Sequence, residues 1–439
     1  VNSLGVGGTN AHLVLQEPPG RPLPDETKRP VQLLALSART RSAVGGACER
    51  LGAFLEERAD DEELHLADVA WTLRHGRREF AERRVVAARS KAEAAALLKD
   101  GDPNRVPTHT ASTDDPRLAF LLPGGGAHYA RMGQDLYATE PVFKEVIDRG
   151  LSRLKSAHDL DLRDLLFPAE GADVDAATEE LTRMERQLPL IFLVSVAMAR
   201  LLESRGGVPD AYLGHSLGQN TAAHLAGVMS FEDCLGLVVL RGQLLARTEA
   251  GAMIMITLPA AEVERRLPPE LDLAVVNGPE SCVVSGPVAA IAAFQAELEK
   301  DEEIDTRRLP ITTAAHSRLL DPILEDFGAY LRRITLKKPE KPIVSNISGT
   351  WLTDAEATSP DYWVKHLRST VRYAECVETL LGEGRQVLVE AGPERTLSSL
   401  ARQNRTFMSG GHASFPALRH PKEEVGDDVF FTTCVGRVW

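Results

Sequence analysis

Basic residues are outnumbered: 50 Lys and Arg face 63 Asp and Glu, a formal net charge of -13 over 439 residues. A nucleic-acid partner demands a cationic face that neutralises phosphates, so this balance argues against one. The five cysteines (Cys48, Cys234, Cys282, Cys376, Cys434) are scattered and form no C-x-x-C pair. Neither a disulfide framework nor a zinc site is indicated, and no metal is expected. No apolar run is read as long enough to span a bilayer, and the N-terminus has neither the charged start nor the apolar centre of a signal peptide. A soluble, cytoplasmic protein without a membrane partner is therefore expected. A Gly-rich loop does occur, Pro123-Gly124-Gly125-Gly126-Ala127-His128, but it lacks the Lys-Ser/Thr that a phosphate-cradling P-loop requires.

With 43% apolar residues the chain can build real cores, and its length implies two or three folded units. The start at Val1, without Met and within an apparent strand, reads as a piece of a longer polypeptide. A strand is expected over 13–15 and a Pro-rich linker over 20–26. A small α/β unit follows, with strands over 31–36 and 83–88 and helices over 43–58, 66–73 and 92–98, the first N-capped by Ser37. A second unit opens with an apolar strand over 117–122, then an apolar helix over 188–204 and a short strand over 211–213. A long helix over 231–247 is capped by Ser230, with Asp233 three residues on. From 252 the order becomes strand, helix, strand, strand, helix, strand (253–257, 260–267, 273–276, 281–285, 289–298, 306–310), which suggests a ferredoxin-like insert. Helix is expected over 317–331, and segments 344–347, 362–367, 371–381, 386–389 and 396–402 continue an alternating α/β pattern. The stretch 412–439 reads as an irregular linker.

One pentapeptide organises the second unit: Gly214-His215-Ser216-Leu217-Gly218, between a short strand and a helix of small residues. A G-x-S-x-G run there makes a sharp turn that presents the Ser216 hydroxyl outward, with helix N-terminal amides aimed at any charge developing beside it. A serine nucleophile needs a base, and His316, preceded by Thr312-Thr313-Ala314-Ala315, is the candidate; a satisfied structural histidine is the alternative. Arg241 shares its helix face with Cys234, Leu237, Val238, Leu244 and Leu245. A cation in an apolar stripe is costly unless paired: it either meets a protein carboxylate, reaches out to water, or clamps a substrate carboxylate with its planar fork.

Seven ordered motifs now carry a resemblance: strand-P-G-x-G-A, G-H-S-L-G, L-R-G-Q-L, N-G-P-E-S-C-V-V-S-G, A-A-H-S with D-P-I-L, Y-W-V-K-H-L-R with V-R-Y, and V-E-A-G-P-E. Together they resemble the acyltransferase domain of a type I polyketide synthase, similar to malonyl-CoA:acyl-carrier-protein transacylases. Residues 5–12 also resemble the last strand of a ketosynthase, whose catalytic residues lie upstream of this chain. The resemblance implies a ketosynthase tail over 1–19, a linker domain over 20–115, an acyltransferase over 116–411 and a post-acyltransferase linker over 412–439. The implied fold is α/β: a large α/β-hydrolase-like subdomain (116–250 and 317–411) with an inserted ferredoxin-like small subdomain (251–316), preceded by a small α/β linker domain.

The same resemblance implies roles. Ser216 is the nucleophile and His316 the general base of a Ser-His dyad working by a ping-pong scheme. The backbone carbonyl of His366 orients His316, and the backbone amides of Gly125 and Leu217 form the oxyanion hole. Arg241 binds the free carboxylate of a malonyl-type unit, and Asn277, Gln219 and His215 stand at the pocket. Acyl-CoA is a substrate, phosphopantetheine sits on the acceptor carrier protein, and no cofactor is bound. Partners are an acyl carrier protein, the ketosynthase and other domains of a parent synthase in antibiotic-type biosynthesis; the piece itself is expected to be monomeric.

Three positions depart from the family pattern. Position 125 is usually Gln and is Gly; position 219 is usually Glu and is Gln; and Thr313-Ala314-Ala315-His316 matches neither the H-A-F-H of malonyl selection nor the Y-A-S-H of methylmalonyl selection. Leu217 leans toward malonyl, whereas Ala315 makes room for a methyl or larger substituent, a difference worth only about 1–3 kcal/mol. Malonyl-CoA is the expected donor, with methylmalonyl, larger or relaxed selectivity as the alternative. Two other classes remain: a serine acyl hydrolase acting in editing, and a catalytically silent docking piece. No D-S-L carrier attachment site is present in the sequence, so the acceptor lies elsewhere.

Overall fold

A computed structural model describes residues 1–17, 29–103, 105–111 and 115–439; the linker expected over 20–26 lies outside the described residues. Strands β1 (Asn2–Leu4) and β2 (Asn10–His12) pair antiparallel and are exposed throughout. The strand expected over 13–15 does not form. Only the Leu13 amide, bonded to the Val1 carbonyl at 2.8 Å, continues the ladder, because this two-stranded sheet has no third partner.

The next unit is a three-stranded antiparallel sheet, β3 (Gln32–Ala38), β4 (Glu82–Ala88) and β5 (Thr108–Thr110), backed by helices Arg41–Glu57, Leu66–His75 and Lys91–Asp100. Leu34, Val44, Leu55, Val86, Ala94 and Leu98 form its core. Thr40 rather than Ser37 caps the first helix, its hydroxyl accepting the Ala43 amide at 3.2 Å, while Ser37 is held inside β3 opposite Arg83.

The central sheet begins with β6 (Arg117–Leu122), which pairs in parallel with β7 (Ala211–Gly214). Between them in sequence runs helix Met184–Ser204, which by length and composition is apolar enough to cross a membrane, correcting the reading that no such run exists. Its most apolar window is 83% buried inside the protein, so it serves as the core helix. Helix Pro141–His158 packs against it at Gly150, where a Cβ would overlap Leu193.

The insert follows the expected order: β8 (Gly251–Ile256), helix Ala260–Arg266, β9 (Asp272–Gly278), β10 (Ser281–Pro287), helix Val288–Leu298 and β11 (Thr306–Arg308). Its strands are antiparallel in the order β11-β8-β10-β9. Alternation divides the sheet's two faces: Ala252, Ile254 and Ile256 pack with the insert's helices, whereas Met253, Val275 and Val283 pack with the large body. At the edge, Val276 and Val371 exchange backbone bonds of 2.9 Å with Val371 and Ala274, so β9 is fastened to the segment after residue 369.

The helix expected over 317–331 splits into a 3-10 turn, Arg318–Ile323, and an α-helix, Leu324–Leu331, because Pro322 has no amide to donate. Segment 344–347 is not a strand; only isolated bridges link Ile343 to Tyr212 and Val344 to Trp351. Helices Pro360–Arg368 and Tyr373–Gly382 lead to β12 (Gln386–Glu390), which pairs in parallel with β6, and helix Thr396–Arg402 leads to β13 (Ala413–Pro416), which pairs with β12. The stretch read as irregular thus supplies an edge strand, and it ends in helix Asp427–Val438. That helix lies flush on the first α/β unit: a Cβ at Gly436 would stand 2.9 Å from Leu33 and Val85.

Candidate active site

The elbow is built from close approaches. A Cβ at Gly214 would overlap the Gly218 backbone, and one at Gly218 would overlap the Leu122 carbonyl, so β7 can turn into helix Leu217–Leu225 only with glycine at both positions. Ser216 itself sits at φ 51°, ψ -110°, a conformation costing about 1–3 kcal/mol in an ordinary residue and here held from outside. The holder is Asn346: its Oδ1 accepts the Ser216 amide at 2.9 Å and its Nδ2 donates to the Gly214 carbonyl at 2.7 Å. The Gln219 amide oxygen accepts the Asn346 backbone amide at 3.0 Å, and its Nε2 donates to Tyr362, whose hydroxyl meets Ser345. Gln219 is fully buried, so it belongs to this scaffold and not to the pocket wall where the resemblance placed it.

Ser216, His316 and Arg241 converge on one oxygen. The Ser216 Oγ lies 2.7 Å from Nε2 of His316 and accepts a hydrogen bond of 2.8 Å from Nη2 of Arg241. His316 is almost wholly buried, and burial, reinforced by the Arg241 charge, pulls its pKa down to about 3. It is neutral at physiological pH with Nε2 free to accept the serine proton. Its Nδ1 meets the Ser369 carbonyl at 2.9 Å, which fixes that tautomer. This corrects the assignment to His366, which lies within the last turn of its helix. Ser369, the C-cap at φ -79°, ψ 157°, has left the helical conformation, so its carbonyl is turned off the axis. The His366 ring faces Asn346 at 3.4 Å instead.

Arg241 is 3% exposed, and no Asp or Glu among the described residues pairs with it. Its Nη1 donates to Asn220 at 3.0 Å, and its Nε has no acceptor. Burial lowers its pKa to about 10, which leaves it charged at neutral pH. A buried cation satisfied only by neutral groups favours an anion entering the cleft.

The remaining expected residues surround this centre. Nε2 of His215 bonds Asn277 at 3.0 Å, joining the elbow to the insert. Leu217 is buried in the main core, and its amide opens the helix without an intrahelical acceptor. The Gly125 amide has no acceptor among the described residues. Thr313 and Ala314 are buried and Ala315 half-buried; Ser285 donates to the Ala315 carbonyl at 2.8 Å. Sequence reasoning missed Asn346, Asn220 and Ser369. Asn346 and Ser369 lie in segments without periodicity, and Ser369 contributes only a carbonyl, so no side-chain signal marks it.

A serine with a neutral imidazole and open amides can form and release an acyl ester. The model of the acyl transferase domain family matches residues 119–419, and that of the CurL-like C-terminal region of polyketide synthases matches residues 32–98. The chain belongs to the acyltransferase domains of type I polyketide synthases. As an acyltransferase it is 33% identical over 455 residues to a phenolphthiocerol/phthiocerol polyketide synthase of Mycobacterium tuberculosis, covering all of this chain and 30% of that synthase. It is 34% identical to the spectinabilin polyketide synthase system protein NorB of Streptomyces orinoci, covering 97% of this chain and 20% of that protein. The chain thus spans under a third of these relatives. Among solved structures, the acyltransferase domain of ZmaA superposes with a TM-score of 0.85 at 36% identity, covering 94% of each chain. The acyltransferase domain of SpnD in complex with 2-(pent-4-yn-1-yl)malonyl gives 0.84 at 38%, covering 94% of this chain and 96% of that one. The malonyl CoA-acyl carrier protein transacylase of Coxiella burnetii, at 0.63 and 24% over 74% of this chain and 96% of that one, shares the fold.

Proposed function

We propose that this acyltransferase loads a malonyl-type extender unit from coenzyme A onto the phosphopantetheine thiol of an acyl carrier protein, through an ester on Ser216. The observation that carries the substrate class is Arg241, a buried cation without a carboxylate partner, 2.8 Å from the Ser216 hydroxyl. As Ser216 Oγ attacks the thioester carbon, its proton passes to Nε2 of His316, and the oxyanion is met by the amides of Gly125 and Leu217. Collapse breaks the carbon-sulfur bond, and the departing thiolate takes the proton from His316. The carrier thiol then gives its proton to His316, attacks the ester and releases Ser216, whose oxygen recovers that proton.

Leu217 favours malonyl-CoA as donor; the small Gly125 and Ala315 favour tolerance of a methyl or larger substituent. The division at 20, 116 and 412, with a ferredoxin-like insert at 251–316 in an α/β-hydrolase-like body, is supported by the insert's strand order and by its separate core. A cytoplasmic location and the ketosynthase as neighbouring domain belong to the same reading. The test is intact-mass measurement after exposure to competing malonyl-, methylmalonyl- and ethylmalonyl-CoA, followed by addition of a phosphopantetheinylated carrier protein. Malonyl on Ser216 that moves to the carrier is the expected result. Acyl groups lost to water at the same rate with and without carrier would overturn it in favour of a hydrolase.

A further inference from the structure

Three consecutive glycines, Gly124, Gly125 and Gly126, carry the oxyanion amide from β6 toward the next helix, and Gly125 and Gly126 are exposed to the cleft. Such a stretch has the largest backbone freedom to lose, so an amide aimed from it needs fixing from both sides. On the upstream side the fixing is steric. A Cβ at Gly124 would stand 2.6 Å from the His215 carbonyl, and one at Gly392 would stand 2.5 Å from Pro123, so the loop start is wedged between the elbow and the end of β12. On the downstream side Gly126, at φ 97°, donates its amide to the Gln187 side-chain oxygen at 2.9 Å. Nε2 of the same side chain donates to the Thr182 carbonyl at 2.7 Å.

Gln187 is 2% exposed and stands in the first turns of the buried core helix, the most firmly packed element of the domain. Its carboxamide occupies space beside position 125: a Cβ there would lie 3.6 Å from the Gln187 oxygen and 3.4 Å from Leu188. We infer that Gln187 is a positioning residue that ties the Gly125-Gly126 loop to the core helix and so holds the oxyanion amide in line. This rests on the acyl-transfer reading of the site. The glycine at 125 opens the space, and an amide from another element fills it.

The test is Gln187→Met in the full chain, with Ser216→Ala alongside. Acylation by malonyl-CoA and discharge to a carrier protein are followed separately by mass. Both half-reactions pass through an oxyanion, so both rates should fall by the same factor, about tenfold to a hundredfold, with KM for malonyl-CoA unchanged. Hydrogen exchange over residues 123–127 should quicken while Tm moves little. Gln187→Asn keeps the amide but falls one methylene short of Gly126, and replaces the Met variant should that fail to fold. Wild-type rates in a folded variant, or a loss confined to KM, would overturn the inference. If Ser216→Ala still becomes acylated, the acyl-transfer reading itself falls; if it does not and Gln187→Met loads normally, only the positioning role falls.

Discussion

Replacing Arg241 by Met removes the guanidinium while keeping much of its volume in the cleft. In the wild type, a carboxylate entering the cleft gains a buried, charge-assisted pair. Truncating one partner of such a pair costs about 2–5 kcal/mol. To make the pair, Nη2 gives up its hydrogen bond to Ser216, worth about 1 kcal/mol, so the net loss should be about 2–4 kcal/mol. At 1.4 kcal/mol per decade, this is roughly a thirtyfold to several-hundredfold fall in kcat/KM for malonyl-CoA. Acetyl-CoA has nothing to offer the cation, so its loading should hold or rise. The assay is competitive acylation with equimolar malonyl- and acetyl-CoA, read as two masses on one protein. Malonyl loading within threefold of wild type, in a folded variant, would refute the assignment of Arg241 to the substrate carboxylate.

The imidazole gives a second test. Because burial and Arg241 hold His316 at about 3, the base stays unprotonated as pH falls, and kcat/KM should be level from about pH 5 to neutrality. In Arg241→Met one depressing charge is gone, so the acid limb should move to higher pH; an unmoved limb would separate the two groups. Asn346→Ala strands the Gly214 carbonyl and frees Ser216 to relax. It should lower stability by about 2–4 kcal/mol in urea unfolding and abolish acyl loading in whatever remains folded. Glu390 is fully buried against the Leu397 and Ser398 amides, and burial raises its pKa to about 7. A carboxyl raised above its unfolded value stabilises most below about pH 4.5 and loses that contribution as pH rises through about 7. The Tm difference between wild type and Glu390→Gln should therefore change across that interval and be flat above it, as calorimetry would read.

Side chains that carry chemistry were legible because each announces itself locally. Ser216 stands in a turn that needs two glycines, Arg241 breaks an apolar stripe, and His316 follows a run of small residues. Their supports were not legible. Ser369 acts through its carbonyl, and Asn346 acts on a turn 130 positions earlier, a relation no period encodes. The insert was readable because its faces alternate cleanly. The last helix was not, since its β-branched, aromatic run Val429-Phe430-Phe431-Thr432-Thr433 disfavours helix intrinsically, and packing against β3 and β4 overrides that preference.

The grip of Asn346 on the elbow has a consequence for how the molecule matures. The backbone around Ser216 is uphill by itself and is restrained by a side chain that emerges from synthesis long after β7 and its helix. Closing so long a loop is among the slower events a chain undertakes. Catalytic competence should then appear late, after the sheet and the core helix are already in place. A refolding chain would regain its secondary structure before its capacity to be acylated.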